Sequence, residues 1–118
     1  YVSHSLSAVI KAVRIANMNL WLVAHPSKMY RDRDGKYPVP TPRDVSGSAH
    51  WWAKADNCIT VHRDQVEDTQ EVEIHVQKVR HRHVGRIGVV QLLYDKVTGR
   101  YFEPPKKQEA RQRADVDG

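Results

Sequence analysis

A chain of 118 residues has room for one small domain, whose thin core would bury about two-thirds of the surface the unfolded chain exposes. Hydrophobic residues at 40% and charged residues at 28% argue against global disorder, and no apolar stretch nears the roughly 20 residues that cross a bilayer. The net charge of +5, with a pI near 9.5, favours a polyanionic partner such as nucleic acid.

The chain opens Tyr1-Val2-Ser3-His4, with neither an initiating Met nor a signal peptide, as a piece of a longer protein would. Residues 3–17 place Leu6, Val9, Ile10 and Val13 at helical spacing, with Lys11 and Arg14 on the other face. Ser3 suits an N-cap, and Asn17-Met18-Asn19 ends the pattern. Leu20-Trp21-Leu22-Val23-Ala24 is an unbroken apolar run, expected as a strand buried on both faces of a parallel sheet. It stops at His25-Pro26, where proline removes a ladder donor.

Residues 26–45 have no period and hold four prolines and a glycine, so a basic, mobile, functional loop is expected. It carries Lys28, Arg31, Arg33, Lys36 and Arg43 against Asp32, Asp34 and Asp44. Ser46-Gly47-Ser48 offers an N-cap to a short helix over 49–54. Residues 57–61 read as a strand, and its Cys58, the single cysteine, indicates a reducing interior without disulfides. A polar turn over 63–70 follows, then a cleanly alternating strand over 71–80 with one face in the core. His81-Arg82-His83 makes a polar turn before a strand over 87–94. The turn 95–99 then leads into Arg100-Tyr101-Phe102, a terminal hairpin. Residues 104–118 form a charged tail, expected to be disordered.

Three places could carry chemistry. Along 71–80, Val72, Ile74 and Val76 share a face that continues into Lys78 and Arg80, two cations about 7 Å apart by strand rise. Either that row meets an anion, or the strand emerges into solvent and both side chains snorkel. His25 follows the expected buried strand, where open α/β sheets place ligand-contacting groups; on position alone, a histidine hydrogen-bonded within the loop is the simpler reading. The loop cations, interleaved with Tyr30 and Tyr37, suit a phosphodiester backbone and its bases, or form a solvated charged loop. Trp51-Trp52 reads as packing. The histidines make no ligand-spaced set with Cys58, so no metal site is expected. There is no G-x-x-x-x-G-K-[ST] run and no apolar strand ending in a metal-binding aspartate, so this chain alone is expected not to hydrolyse ATP.

From about Asn19 to Glu103 the chain resembles the last third of the DnaB-like replicative helicase motor, the group that includes phage primase-helicases and Twinkle. The resemblance is carried by Leu20-Trp21-Leu22-Val23-Ala24-His25-Pro26-Ser27-Lys28, by Ser46-Gly47-Ser48-Ala49 with Ala55-Asp56-Asn57, and by Val76-Gln77-Lys78-Val79-Arg80. Val84-Gly85 to Tyr94 and Thr98-Gly99-Arg100-Tyr101-Phe102 follow in order. It implies an α/β fold, the C-terminal portion of a RecA-like core over 1–103, with parallel strand content, antiparallel C-terminal strands and two helices. It implies that His25 senses the nucleotide γ-phosphate and that Arg80, with Lys78 beside it, is an arginine finger reaching a neighbour's ATP site. It also implies that Lys28, Arg31, Arg33, Lys36, Arg43, Ser46, Gly47 and Ser48 face single-stranded DNA. Ser46 stands where bacterial members carry arginine, and His25 where they carry glutamine, which points to the phage-like and Twinkle-like branch.

On that resemblance the expected parent is a hexameric ATP-dependent replicative DNA helicase using ATP or another NTP with Mg2+, neither bound by this chain alone. It would act in a bacterial or phage-infected cytoplasm. A truncated sheet edge would also allow dimerisation. A non-enzymatic nucleic-acid-binding domain and an ATPase remnant kept for assembly are the competing readings.

Overall fold

A computed structural model describes residues 2–27, 29–45, 48–64 and 70–105; the expected tail beyond 105 and most of the polar turn after Arg63 lie outside them. Helix α1 spans Val2–Ile15, so Ser3 lies within the helix and is not its cap. Its end is set by a Schellman arrangement. Asn17 takes the left-handed conformation at φ 53, its N–H donates to the Arg14 carbonyl at 3.2 Å, and the Met18 N–H donates to the Val13 carbonyl at 3.0 Å. Asparagine tolerates this geometry better than most non-glycine residues, which is why the pattern breaks there.

The run from Leu20 to Ala24 is not a strand, a departure from the buried parallel strand expected. Trp21 and Val23 are 81% and 85% exposed. A strand requires a hydrogen-bonded neighbour, and among the described residues none pairs with this segment. The parallel part of the expected sheet is therefore absent from the described residues.

The stretch from Pro26 to Val45 has more internal order than its composition suggests. The Asp32 carboxylate accepts from the Asp34 and Lys36 N–H groups at 2.9 and 3.0 Å, and Gly35 completes the turn at φ 76. A single 3-10 turn at Pro42–Asp44 is closed by a capping box. Thr41 Oγ1 accepts from the Arg43 N–H, and the Asp44 carboxylate accepts from the Thr41 N–H at 2.7 Å. The Ser27 N–H donates to the Asp44 carbonyl at 2.6 Å, tying the two ends of the loop together.

Helix α2 covers Ser48–Lys54. Strands β1 (Asn57–Arg63), β2 (Glu71–Val79), β3 (Gly88–Tyr94) and β4 (Tyr101–Phe102) form one antiparallel sheet in chain order. The fold is α/β, with two helices beside this meander. The hairpin into β4 turns on Asp95, whose carboxylate accepts from the Val97 N–H and the Thr98 hydroxyl, both at 2.9 Å. Those bonds hold its carboxyl below the ordinary aspartate range. Gly99 supplies the required φ of 71.

The core is smaller than the length allows. Among the described residues only Val72 and Cys58 are buried. On one face of the sheet, Ile59, Val61 and Val90 remain largely exposed although their spacing is that of core residues.

Candidate functional site

The end of β2 does not continue the simple alternation read from sequence. Val76 pairs with Ile59 and Lys78 with Cys58, so Gln77 is an extra residue and the register slips there. Such a bulge bends its strand and re-aims the side chains beyond it. Gln77 itself ties the sheet to the loop: its amide donates to the Pro40 carbonyl at 2.8 Å, and its carbonyl oxygen accepts from Thr60 at 2.9 Å. The uninterrupted core-facing row from Val72 to Arg80 is thus corrected to an apolar row followed by a redirected pair of cations.

Both cations meet the C-terminal end of α2. Lys78 Nζ donates to the Trp52 carbonyl. One Arg80 amino group donates to the Ala53 carbonyl at 2.6 Å, and the other meets the Asp56 carboxylate at 2.9 Å. The last carbonyls of a helix lack intrahelical partners and carry partial negative charge, so cations settle there. Of the two ways first open to this pair, Arg80 meets an anion, the Asp56 carboxylate of this same chain, and backbone carbonyls of α2 accept from both cations. Arg80 nonetheless stays partly exposed.

Trp52 is a participant that reading it as packing missed. Its ring lies 5.6 Å from the Arg43 guanidinium carbon and 5.6 Å from Lys78 Nζ, so one indole is shared by a loop cation and a strand cation. The signal in the sequence was a tryptophan on a helix flanked by cationic segments, which spacing alone does not resolve into a contact.

The remaining expected residues are not gathered around this pair. His25 is exposed in the irregular segment before Pro26. Arg31 and Arg33 are exposed on the loop, with the Arg31 guanidinium 5.2 Å from the Tyr37 ring centroid. Lys36 is exposed and engaged at its backbone by Asp32. Lys28, Ser46 and Gly47 lie outside the described residues, and Ser48 begins α2.

Elsewhere, the Glu73 carboxylate lies 2.6 Å from His75 Nε2, with the His62 ring 6.4 Å from that of His75. Among the described residues no three metal-ligating side chains converge. Burial pushes the Cys58 thiol above its ordinary range, while the nearby charges of Lys78 and Arg80 oppose that rise. No described helix is long and apolar enough to cross a membrane.

No family model matches the chain. Over 108 residues it is 38% identical to a protein of Arabidopsis thaliana described as "Twinkle homolog protein, chloroplastic/mitochondrial", an alignment covering 89% of this chain. The chain spans about 15% of the length of that curated relative. The expectation of a bacterial or phage-infected cytoplasm is overturned by this likeness, because the relative is a chloroplastic and mitochondrial plant protein.

Proposed function

We propose that this chain, a relative of the Twinkle-type helicases, is the C-terminal part of the RecA-like motor of an ATP-dependent replicative DNA helicase that works in an organelle. In this reading the assembled protein is a ring, most simply a hexamer. Arg80 reaches the nucleotide held by the adjacent protomer, Lys78 stands beside it, and His25 senses the γ-phosphate. The loop cations Lys28, Arg31, Arg33, Lys36 and Arg43, with Ser46, Gly47 and Ser48, face single-stranded DNA.

The observation that carries the reading is the anchored, partly exposed guanidinium at the end of β2, in a chain related to a Twinkle homolog. A planar, permanently charged group with spare N–H donors is suited to the charge that builds on a transferring phosphoryl group. ATP supplies the phosphoryl group, and the rest of the motor must hold it, because this sequence has no phosphate-binding loop.

The cheapest test is the reading frame ahead of Tyr1. A G-x-x-x-x-G-K-[ST] sequence within about 150 residues upstream is expected, since one RecA-like core must contain it. An immediate stop or an unrelated domain there would replace the motor with the alternative of a small, non-enzymatic nucleic-acid-binding domain.

A second test addresses the loop. Replacing Lys28 and Lys36 together by Ala in the full-length protein should weaken single-stranded DNA binding. It should also flatten the plot of log K against log salt by about 1.4, at roughly 0.7 for each lost phosphate contact. Fluorescence anisotropy of a labelled oligonucleotide across a salt series measures this, and an unaltered slope removes the loop from the DNA interface.

A further inference from the structure

We propose that Asp56 is a positioning residue for Arg80, holding its guanidinium ready for the phosphoryl group of the adjacent protomer. This rests on the reading of Arg80 as a trans-acting finger and adds the device that aims it.

The geometry is a clamp on both ends of one residue. The Arg80 N–H donates to the Asp56 carbonyl at 2.9 Å, extending the β1–β2 pairing by one step beyond Asn57 and Val79. The Asp56 carboxylate then accepts from one Arg80 amino group at 2.9 Å, and the Ala53 carbonyl accepts from the other at 2.6 Å. Backbone and side-chain tip are therefore both fixed from the short segment joining α2 to β1. A free arginine samples many rotamers, and losing that freedom at the moment of reaction would raise the barrier. Two of the five guanidinium N–H groups make these bonds, so the planar fork retains donors for a phosphate oxygen.

Asp56 is itself more than half exposed, at 55%, and Arg80 is partly so. An ion pair this wet contributes little to folding. A carboxylate kept only for stability would be poorly placed here; one kept to orient a guanidinium needs the solvent-facing end of the strand, because the phosphate must arrive from outside the protomer. Lys78, anchored on the preceding carbonyl of the same helix end, is held by the same element, so α2 presents both cations together.

The test uses the assembled full-length protein with ATP and single-stranded DNA, comparing Asp56→Ala, Asp56→Asn and Arg80→Ala. Asp56→Ala should lower kcat about 10- to 100-fold, the scale of a mispositioned reacting group, with KM for ATP nearly unchanged. Asp56→Asn keeps an acceptor oxygen for the guanidinium and should recover most of the lost turnover. The thermal midpoint of both variants should stay within about 2 °C of the parent.

A purely structural Asp56 predicts the reverse: a lower midpoint with turnover per folded protein intact, which overturns the proposal. Asp56→Asn as poor as Asp56→Ala overturns it too. If Arg80→Ala abolishes turnover while Asp56→Ala leaves it alone, Asp56 is excluded and the finger stands. If Arg80→Ala leaves turnover intact, the finger itself falls and the role of Asp56 goes with it.

Discussion

Replacing Arg80 by Ala in the full-length protein is expected to lower nucleotide turnover by about 10³- to 10⁵-fold, the range found for arginine fingers. Nucleotide binding should be nearly intact, because in the proposed role the side chain meets developing charge and not the ground-state substrate. Arg80→Lys keeps the positive charge but not the planar fork, and the Asp56 and Ala53 acceptors are spaced for two separate amino groups. It should therefore stay far below the parent. On the proposed trans arrangement, Arg80→Ala protomers mixed with protomers defective in the phosphate-binding loop should regain activity that neither shows alone. Some interfaces in such a ring pair an intact loop with an intact arginine. Steady-state hydrolysis with a nucleotide-binding titration reads both quantities. Turnover unaffected by Arg80→Ala would remove the motor assignment from this residue.

Much of the local structure was legible because it is written in short-range patterns. Helix α1 and strands β1, β2 and β3 fall within about two residues of their expected bounds, since periodicity, Asn17 and the turn residues at 95–99 are all local signals. The failures are non-local. The run from Leu20 to Ala24 has the composition of a buried strand, but composition states a demand for burial and not which strands will meet it. The bulge at Gln77 is invisible in a cleanly alternating sequence, because it is imposed by the partner strand and by contacts to Pro40 and Thr60.

The candidate site divides the same way. Lys78 and Arg80 could be singled out from the sequence as cations ending a core strand; that they would settle on the carbonyls of α2 could not. The partnership of Asp56 with Arg80 was nearer to reach. An antiparallel pair beginning at Asn57 and ending at Val79 places the residues just outside it opposite one another, so an aspartate and an arginine at those two places were candidates for a pair. Trp52 lacked any such rule, since its two cations arrive from a loop and from a strand whose path the sequence did not reveal.

The chain's stability should hinge on Val72 to an extent unusual for a single valine. It is 1% exposed, lies on β2 between Arg63 of β1 and Leu92 of β3, and is one of only two buried residues among those described. Val72→Ala removes two methyl groups and leaves a void at the start of β2, a loss of about 1.5 to 3 kcal/mol. Val72→Asp buries a carboxylate at this position, and even with Arg63 directly across on β1 its desolvation costs several kcal/mol, comparable with the roughly 5–15 kcal/mol that hold an ordinary domain together. That variant should not fold. Val61→Ala, on the same sheet but 60% exposed, is the internal control and should cost no more than about 0.5 kcal/mol. Urea unfolding followed by circular dichroism ranks the three. Equal effects at Val72 and Val61 would mean that burial at the start of β2 does not carry the fold.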